Sequence, residues 1–367
     1  MIPFLSFKHM NEEIKAELLP SFENFIDNGW YVLGNQVIQF EQDYATYCNT
    51  QYCAGLANGL DALIIALKTL NIGPGHEVIV PSNTYIASWL AVSYVGATPI
   101  PVEPILATYN INPALIEAAI TPKTKAIMPV HLYGQCCEME EIMRIANKHH
   151  LYVVEDNAQS QGATFNNKTT GSFGDINATS FYPGKNLGAF GDGGAITTNN
   201  QDLYNLTNVI RNYGSQKKYY NQIKGINSRL DEVQAGFLSI KLKHLTNWTA
   251  QRNHIANLYN QLLQNIGDIA IPVVAQGATS VYHLYVIRTQ KRDALQQYLT
   301  DNQIGTLIHY PLPPHLQEAY QDLGYKKGDF PLAETIADTC LSLPMYPGLT
   351  DEEVKTVCKH ITQFFNA

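Results

Sequence analysis

Between residues 77 and 156 the chain alternates short apolar runs with segments of helical periodicity. Four runs, EVIVP, TPIPV, KAIMPV and LYVVED, are separated by segments whose apolar residues recur three and four positions apart. Strands of this apolar character are buried on both faces, as in a parallel sheet covered by helices. The alternation therefore predicts an α/β fold with a mostly parallel central sheet, in which ligands bind at the carboxyl ends of the strands.

The chain of 367 residues is long enough for two domains. We expect a large domain over residues 1–240, which begins with a helical segment, and a smaller α+β domain over residues 241–367. A long helix from about Asp231 to Leu263 is expected to join them. In the second domain, we interpret GTLIHYPLPPHLQEAY as a strand that runs into a proline-rich turn.

Composition excludes several functions. The net charge is −8 and no run of Lys and Arg occurs, which argues against a nucleic-acid partner. No apolar run is long enough to span a membrane, and the N-terminus shows no export signal. The six cysteines form no C-x-x-C pair, so we expect free thiols, no metal site and a reducing cytoplasm.

The stretch SFYPGKNLGAFGDGGA, residues 180–195, contains one lysine, Lys185, among five glycines. Strand-like segments flank it, so we expect Lys185 on a tight loop between two strands. Such a lysine is an imine-forming amine, a phosphate contact or a solvated surface charge. The glycines fit neither a dinucleotide-binding fingerprint nor a Walker loop, because Thr179 and Asn186 stand where a Walker loop needs Gly and Ser or Thr.

A second feature is the helix start at Asn58-Gly59-Leu60. The first N–H groups of a helix have no partner within it, and the helix dipole is positive there, which favours a phosphate. An ordinary helix start is the alternative. A third feature is Asp156, which ends the strand-like run LYVVED about thirty residues before Lys185.

Pyridoxal phosphate requires these three features together. A lysine forms an imine with it, a carboxylate keeps its pyridine nitrogen protonated, and a helix N-terminus holds its phosphate. An aromatic ring that stacks on the cofactor would complete the site, and Tyr85, after the strand EVIVP, is placed for this role.

Longer segments carry a family resemblance. The chain resembles the DegT-type nucleotide-sugar aminotransferases, which have the aspartate aminotransferase fold, in the segments GNGLDAL, VIVPSNTYIAS, PVHLYGQ, VVEDNAQSQG, SFYPGKNLGAFGDGGAI, RNYGS and NSRLDEVQAGFL. The match runs over almost the whole chain in the right order. Within the family, the opening IPFLSFK and the late segment GTLIHYPLPPHLQEAY are most similar to enzymes that make dTDP-3-amino-3,6-dideoxyhexoses.

The resemblance implies a role for each cofactor contact. It assigns the imine to Lys185, the pyridine nitrogen to Asp156, a hydrogen bond near the ring hydroxyl to Gln159, and ring stacking to Tyr85; phosphate contacts fall to Gly59, Leu60 and Ser180, and to Asn227 of a neighbouring subunit. The last assignment implies a homodimer with shared active sites. Asn157 and Leu60 depart from the family pattern, and Leu60 has only its N–H to offer the phosphate.

Sugar contacts are expected from a further set of residues. They are Tyr182, Tyr219, Arg229, His309 and Tyr310, with His315 in the same proline-rich loop as the last two. Tyr219 and Arg229 are candidates from the partner chain, and a structural or surface role is the alternative for each of these residues.

The implied reaction is a two-stage amino transfer. L-Glutamate gives its amino group to the cofactor and leaves as 2-oxoglutarate, and a dTDP-3-oxo-6-deoxyhexose then receives the group at C3; Lys185 moves the protons. The alternatives are transfer to C4 of a nucleotide-linked 4-oxo sugar and a non-catalytic regulator that binds pyridoxal phosphate. A branch of the family that dehydrates its substrate has histidine at this position, so Lys185 argues against dehydration. The C4 configuration of the hexose and the destination of the product, O-antigen, S-layer or antibiotic, stay open.

Overall fold

The computed structural model describes residues 1–366, and their centre is a seven-stranded sheet. The strands of the chain are β1 (Tyr52–Leu56), β2 (Glu77–Pro81), β3 (Thr98–Val102), β4 (Thr124–Ile127), β5 (Tyr152–Asp156), β6 (Thr164–Phe165), β7 (Lys168–Thr169), β8 (Ile176–Ser180), β9 (Gly194–Thr198), β10 (Ser215–Lys217), β11 (Tyr220–Asn221), β12 (Tyr285–Arg288) and β13 (Cys340–Leu343). The large sheet has the order β1-β9-β8-β5-β4-β2-β3. Only β9 runs antiparallel to its neighbours, so the predicted mostly parallel sheet is confirmed.

Eleven α-helices within residues 1–366 cover the sheets. They are α1 (Lys8–Asn28), α2 (Asn35–Cys48), α3 (Gly59–Thr69), α4 (Ile86–Tyr94), α5 (Pro113–Ile116), α6 (Met139–His149), α7 (Gln201–Ile210), α8 (Glu232–Leu263), α9 (Arg292–Asp301), α10 (Pro331–Thr339) and α11 (Asp351–Asn366). None of these helices is both long and apolar enough to cross a membrane.

Successive residues of the central strands point to opposite faces of the sheet. In β2, Val78 and Val80 pack against α3 and α4, whereas Ile79 between them packs on the other face with Ile142 of α6. All three side chains are fully buried. Because both faces are covered, the strands are apolar at every position, and this is the pattern that the sequence carries.

A second core lies in the C-terminal part of the chain. The last three turns of α8 pack there with β12, β13, α9 and α11. Ile2 belongs to the same core, and its carbonyl accepts a hydrogen bond from Gly305 N–H (2.8 Å). The N-terminal residues therefore pack on the part of the chain assigned to the smaller domain, and the boundary at residue 240 remains a prediction.

The predicted strand after Gly305 is wrong. Leu307 makes one isolated bridge to Ser342, and two short 3₁₀ helices, Pro314–Leu316 and Glu318–Leu323, follow. The prolines at 311, 313 and 314 have no N–H to donate to a ladder, so a paired strand cannot continue beyond residue 310.

Candidate active site

Two neighbouring strands bring the first site residues together. β5 and β8 are parallel and adjacent, and Asp156 of β5 lies opposite Ala178 of β8. Their carboxyl ends therefore lie at the same edge of the sheet, with Asp156 at the end of one and Ser180 at the end of the other. Since Lys185 follows β8 by five residues, the loop that carries it starts at this edge.

The Asp156 carboxylate is buried and held by two donors. Oδ2 accepts a hydrogen bond from Ser88 Oγ (2.8 Å), and Oδ1 accepts one from Ala158 N–H (3.2 Å). Burial raises the pKa of Asp156 above its ordinary value, while Ser88, Ala158 and the nearby Lys185 ammonium act in the opposite direction. A cation placed against this carboxylate would stabilise its ionised form.

The loop between β8 and β9 is closed at its base. Phe181 N–H donates to Gly193 O (2.7 Å), and Ala189 N–H donates to Phe181 O (2.8 Å). Lys185 is partly buried inside this loop, as the sequence predicted for a loop between two strands. Burial lowers the pKa of Lys185 to about 8, although the Asp156 carboxylate nearby raises it. The two groups are thus close enough for their charges to interact.

The N-terminus of α3 lies against Ser180. Asn58 caps the helix, and its side chain accepts from Asp61 N–H (2.8 Å). The N–H groups of Gly59 and Leu60 have no acceptor among residues 1–366. A Cβ at Gly59 would lie 2.5 Å from Ser180 Cβ, so only glycine allows this close approach. The Ser180 hydroxyl accepts from Tyr182 N–H (3.2 Å) and keeps its own proton free to donate.

A group of polar and aromatic side chains extends from β5 to the segment after Gly305. Gln159 accepts from Tyr133 N–H (2.7 Å) and donates through Nε2 to Tyr310 Oη (3.2 Å). The Tyr310 ring lies 5.2 Å, centroid to centroid, from the ring of Tyr85, which is half exposed. These contacts bring together three of the predicted site residues of the same chain: Gln159, Tyr85 and Tyr310.

Two histidines also face Lys185. His309 Nδ1 lies 2.8 Å from Ser342 Oγ, and burial together with the Lys185 ammonium lowers the pKa of His309 to about 4. His283 lies 3.3 Å from Asn186 Oδ1, and burial and the same ammonium lower its pKa well below the ordinary value. Both imidazoles are therefore neutral at physiological pH.

The remaining predicted residues lie elsewhere. Tyr219 is 84% exposed beside the β10–β11 hairpin, and Asn227 is also exposed. Arg229 donates to Asn212 Oδ1 (3.1 Å) and stacks on Tyr213. None of these contacts the Lys185 group within one chain. Tyr182 belongs to the Lys185 loop, but its ring is exposed.

His315 does not serve the cleft as the sequence suggested. Its Nε2 lies 3.1 Å from Glu334 Oε1, and its ring is buried against Phe330. The 3₁₀ helix that starts at Pro314 turns this side chain inward, whereas the predicted open turn would have left it free.

Comparison with known proteins identifies this arrangement. The model of the DegT/DnrJ/EryC1/StrS aminotransferase family matches residues 12–362. The chain belongs to this family. Aminotransferases of the family use pyridoxal 5'-phosphate, and solved structures similar to this chain hold it or its pyridoxamine form. The chain is therefore a pyridoxal-phosphate-dependent aminotransferase.

Several relatives in the DegT/DnrJ/EryC1/StrS family are similar over their full length. The chain is 50% identical over 364 residues to the dTDP-3-amino-3,6-dideoxy-alpha-D-galactopyranose transaminase of Aneurinibacillus thermoaerophilus, with 99% of each chain covered. It is 47% identical over 348 residues to the dTDP-3-amino-3,4,6-trideoxy-alpha-D-glucose transaminase of Streptomyces venezuelae, with 95% of this chain and 92% of the relative covered. The solved structure of S. venezuelae DesV with a ketimine intermediate has 45% identity and a TM-score of 0.98, over 100% of this chain and 99% of that one.

The residues present fit the cofactor of this aminotransferase family. The unpaired N–H groups of Gly59 and Leu60 and the Ser180 hydroxyl suit a phosphate. The buried Asp156 suits a cationic ring nitrogen, and the lowered pKa of Lys185 leaves more of its amine in the neutral, nucleophilic form.

Sequence reasoning missed two residues of this aminotransferase site, Ser88 and His283. Ser88 follows Tyr85 by three positions, so the start of α4 places both on one side of the helix, and this spacing was the available signal. His283 precedes β12 in the distant C-terminal part of the chain, and no local pattern marks it.

Proposed function

We propose that this aminotransferase transfers an amino group from L-glutamate to C3 of a dTDP-3-oxo-6-deoxyhexose. The products would be a dTDP-3-amino-3,6-dideoxyhexose and 2-oxoglutarate. The choice of sugar substrate rests on the 50% identity, over 99% of both chains, to a transaminase named for a dTDP-3-amino-3,6-dideoxyhexose. The approach of Asp156 to Lys185, beside a helix N-terminus with free N–H donors, supports the amino transfer.

The proposed cofactor contacts follow from the donors and acceptors present. Gly59 N–H, Leu60 N–H and the Ser180 hydroxyl hold the phosphate, and the positive end of the α3 dipole adds to their attraction. Asp156 pairs with the ring nitrogen and is oriented by Ser88. Gln159 is positioned by Tyr133 N–H and Tyr310 to meet the ring hydroxyl, and Tyr85 stacks on the ring.

When bound, pyridoxal phosphate supplies an electron sink and a carrier for the amino group. Lys185 provides the imine-forming amine and afterwards holds and returns the proton at Nζ. With a pKa of about 8, roughly one-tenth of this amine is neutral at pH 7, compared with about one part in 2,500 at the ordinary lysine value of about 10.4. His283 and His309, both neutral beside Lys185, add no positive charge and offer hydrogen bonds to substrate hydroxyls.

We propose a homodimer in which each site is completed by the other subunit. Two stretches that are rich in exposed large apolar side chains, residues 19–32 and 213–223, support this arrangement. The second stretch contains Tyr219 and is followed by Asn227 and Arg229, which do not reach the Lys185 group of their own chain. In the proposal Asn227 contacts the cofactor phosphate of the neighbouring subunit, and Tyr219 and Arg229 contact its sugar nucleotide, together with Tyr182, His309 and Tyr310 of the other chain.

The proposed compartment is the cytoplasm. All six cysteines are buried free thiols, which is typical of proteins that fold in a reducing environment.

The experiment is the visible spectrum of the purified holoenzyme before and after L-glutamate is added without sugar. We expect the band of the lysine-bound cofactor to disappear as 2-oxoglutarate forms. Addition of a dTDP-3-oxo-6-deoxyhexose, in galacto and gluco configuration in separate samples, should restore the band and yield the amino sugar.

Two outcomes would contradict the proposal. A band that glutamate leaves unchanged would exclude this amino donor, and a band restored by a 4-oxo sugar but by neither 3-oxo sugar would exclude transfer to C3. Lys185→Ala is the control, because it removes the imine-forming amine and should abolish the band.

A further inference from the structure

One face of α8 supports the loop that carries Lys185. Gln234, Phe237 and Lys241 are spaced three and four residues apart, so they lie on the same side of the helix. Gln234 Oε1 accepts from Phe190 N–H (2.8 Å), and the Phe237 ring meets the Phe190 ring edge to face at 5.3 Å. The helix thus contacts the loop directly after the lysine.

Lys241 is the charged member of this face and is almost fully buried. Its Nζ donates to Gly188 O (2.6 Å) and lies 3.7 Å from the centre of the Phe190 ring. No carboxylate among residues 1–366 pairs with it. Burial lowers the pKa of Lys241 to about 8. Burying an amine without a counter-ion is unfavourable, and apolar side chains commonly occupy such positions without this cost.

The carbonyl that Lys241 holds belongs to a tightly closed turn. A Cβ at Gly188 would lie 2.3 Å from Pro183 O, so the backbone at residue 188 rests directly on the backbone at residue 183. Lys185 lies between these two contact points, and its N–H donates to Tyr182 O (2.8 Å). Rotation of the Gly188 carbonyl would therefore move the turn that aims the Lys185 side chain.

We propose that Lys241 is a positioning residue for amino transfer, which holds the Gly188 carbonyl and thereby fixes Lys185 against the cofactor. The role rests on the proposed function, since it requires Lys185 to be the imine-forming amine. Lys241 itself touches neither the cofactor nor the substrate. The Phe190 ring and the N–H···O bond replace the water that the ammonium loses on burial.

The experiment compares three variants of the full-length protein. Lys241→Met removes the donor but keeps the length of the side chain, and Lys241→Gln removes the charge but keeps a shorter N–H donor. Lys243→Met is the matched control, because Lys243 lies on the same helix, is exposed, and its side chain makes no hydrogen bond among residues 1–366. Apoprotein is mixed with pyridoxal 5'-phosphate and the rate at which the visible band appears is measured, followed by its rate of loss with L-glutamate.

We expect both rates to fall about 10–100-fold in Lys241→Met, as for a displacement of about 1 Å at a reacting group. The glutamate concentration at half-maximal rate should stay unchanged, because Lys241 does not contact glutamate. Lys241→Gln should fall between Lys241→Met and the unmodified enzyme, and Lys243→Met should match the unmodified enzyme.

The proposal would be overturned if both rates in Lys241→Met stayed within twofold of those of the unmodified enzyme. It would also be overturned if the rates fell equally in the Met and Gln variants, because this would point to the charge of Lys241 instead of its hydrogen bond. If Lys241→Met does not fold, as judged by the melting of the apoprotein, Lys241→Leu, which also lacks the donor, decides by the same twofold criterion. Failure of the proposed function is separate, since the unmodified protein would then form no band, or Lys185→Ala would form the same one.

Discussion

At the scale of single residues, the site is a set of buried groups whose charges depend on one another. Lys185, Asp156, His283 and His309 share a volume from which protein has displaced water. Burial disfavours the charged form of each group, so amine and imidazole pKa values fall while the carboxyl pKa rises. Lys185 is thereby partly neutral at physiological pH. Because the two imidazoles are uncharged, the charge of the site comes from the lysine and the carboxylate.

The lowered pKa of Lys185 has a kinetic consequence. Only the neutral amine attacks the cofactor aldehyde, so the rate at which apoprotein takes up pyridoxal 5'-phosphate should rise about tenfold per pH unit up to about pH 8 and level off above it. Stopped-flow absorbance between pH 6.5 and 9.5 measures this profile. His309, with a pKa of about 4, does not titrate in this range.

Lys241 also has a pKa of about 8, so Lys241→Met is the control for this profile. The variant should lower the rates and keep the midpoint. A rate that still rises about tenfold per pH unit at pH 9.5, as expected for the ordinary lysine value of about 10.4, would show that Lys185 is not desolvated in the apoprotein.

At the scale of elements, the start of α3 contributes only backbone groups to the site. Its helix dipole and two free N–H groups favour an anion, and Gly59 lies directly against Ser180 at the same point. Strand β8 and helix α3 are therefore fitted to each other at a distance that excludes a side chain.

Gly59→Ala should weaken cofactor binding about tenfold or more, equivalent to about 1.4 kcal/mol, because its Cβ would lie 2.5 Å from Ser180 Cβ and push the N–H groups away from the phosphate. Equilibrium titration with pyridoxal 5'-phosphate measures the loss. Gly73→Ala is the matched control, since its nearest neighbour would be Val95 O at 3.4 Å. Equal affinities of the two variants would argue against a phosphate site at α3.

At the scale of the whole molecule, the site lies where distant parts of the chain meet. Asp156 comes from the carboxyl end of β5, and His283 and His309 come from the C-terminal part of the chain. Helix α8 runs from the Lys185 loop into the second core. In the proposed dimer a further segment, around Asn227, comes from the neighbouring subunit.

Mixed dimers test the shared site. Lys185→Ala lacks the reactive amine, and Asn227→Asp should repel the cofactor phosphate of the other subunit, so each homodimer should be inactive. Refolding the two variants together in equal amounts should restore about one-quarter of full activity, because half the dimers are mixed and half of their sites are intact. Separately tagged chains and an activity assay of the mixed fraction give the measurement. Inactive mixed dimers would mean that Asn227 and Lys185 serve the same site from one chain.

The sequence by itself determined the features that depend on local patterns. Apolar strands between amphipathic helices specify a covered parallel sheet, and the helix that starts at Glu232 was located to within one residue. Lys185 and Asp156 could be singled out because a glycine-rich loop and the end of a strand are local features. Gly59 is a candidate for the same reason, since a helix start is a local feature too.

Only the tertiary structure decided which distant groups surround those residues. The hydrogen bond from Ser88 to Asp156, the place of His283 beside Lys185 and the support of Gly188 by Lys241 join residues 53 to 98 positions apart. Among residues 1–366, the segment after Gly305 makes one bridge, from Leu307 to Ser342, and the local pattern does not reveal which distant strand it would pair with. Local composition determines where strands, helices and loops form. The electrostatic surroundings of a lysine depend instead on which distant segments of the chain exclude water from it.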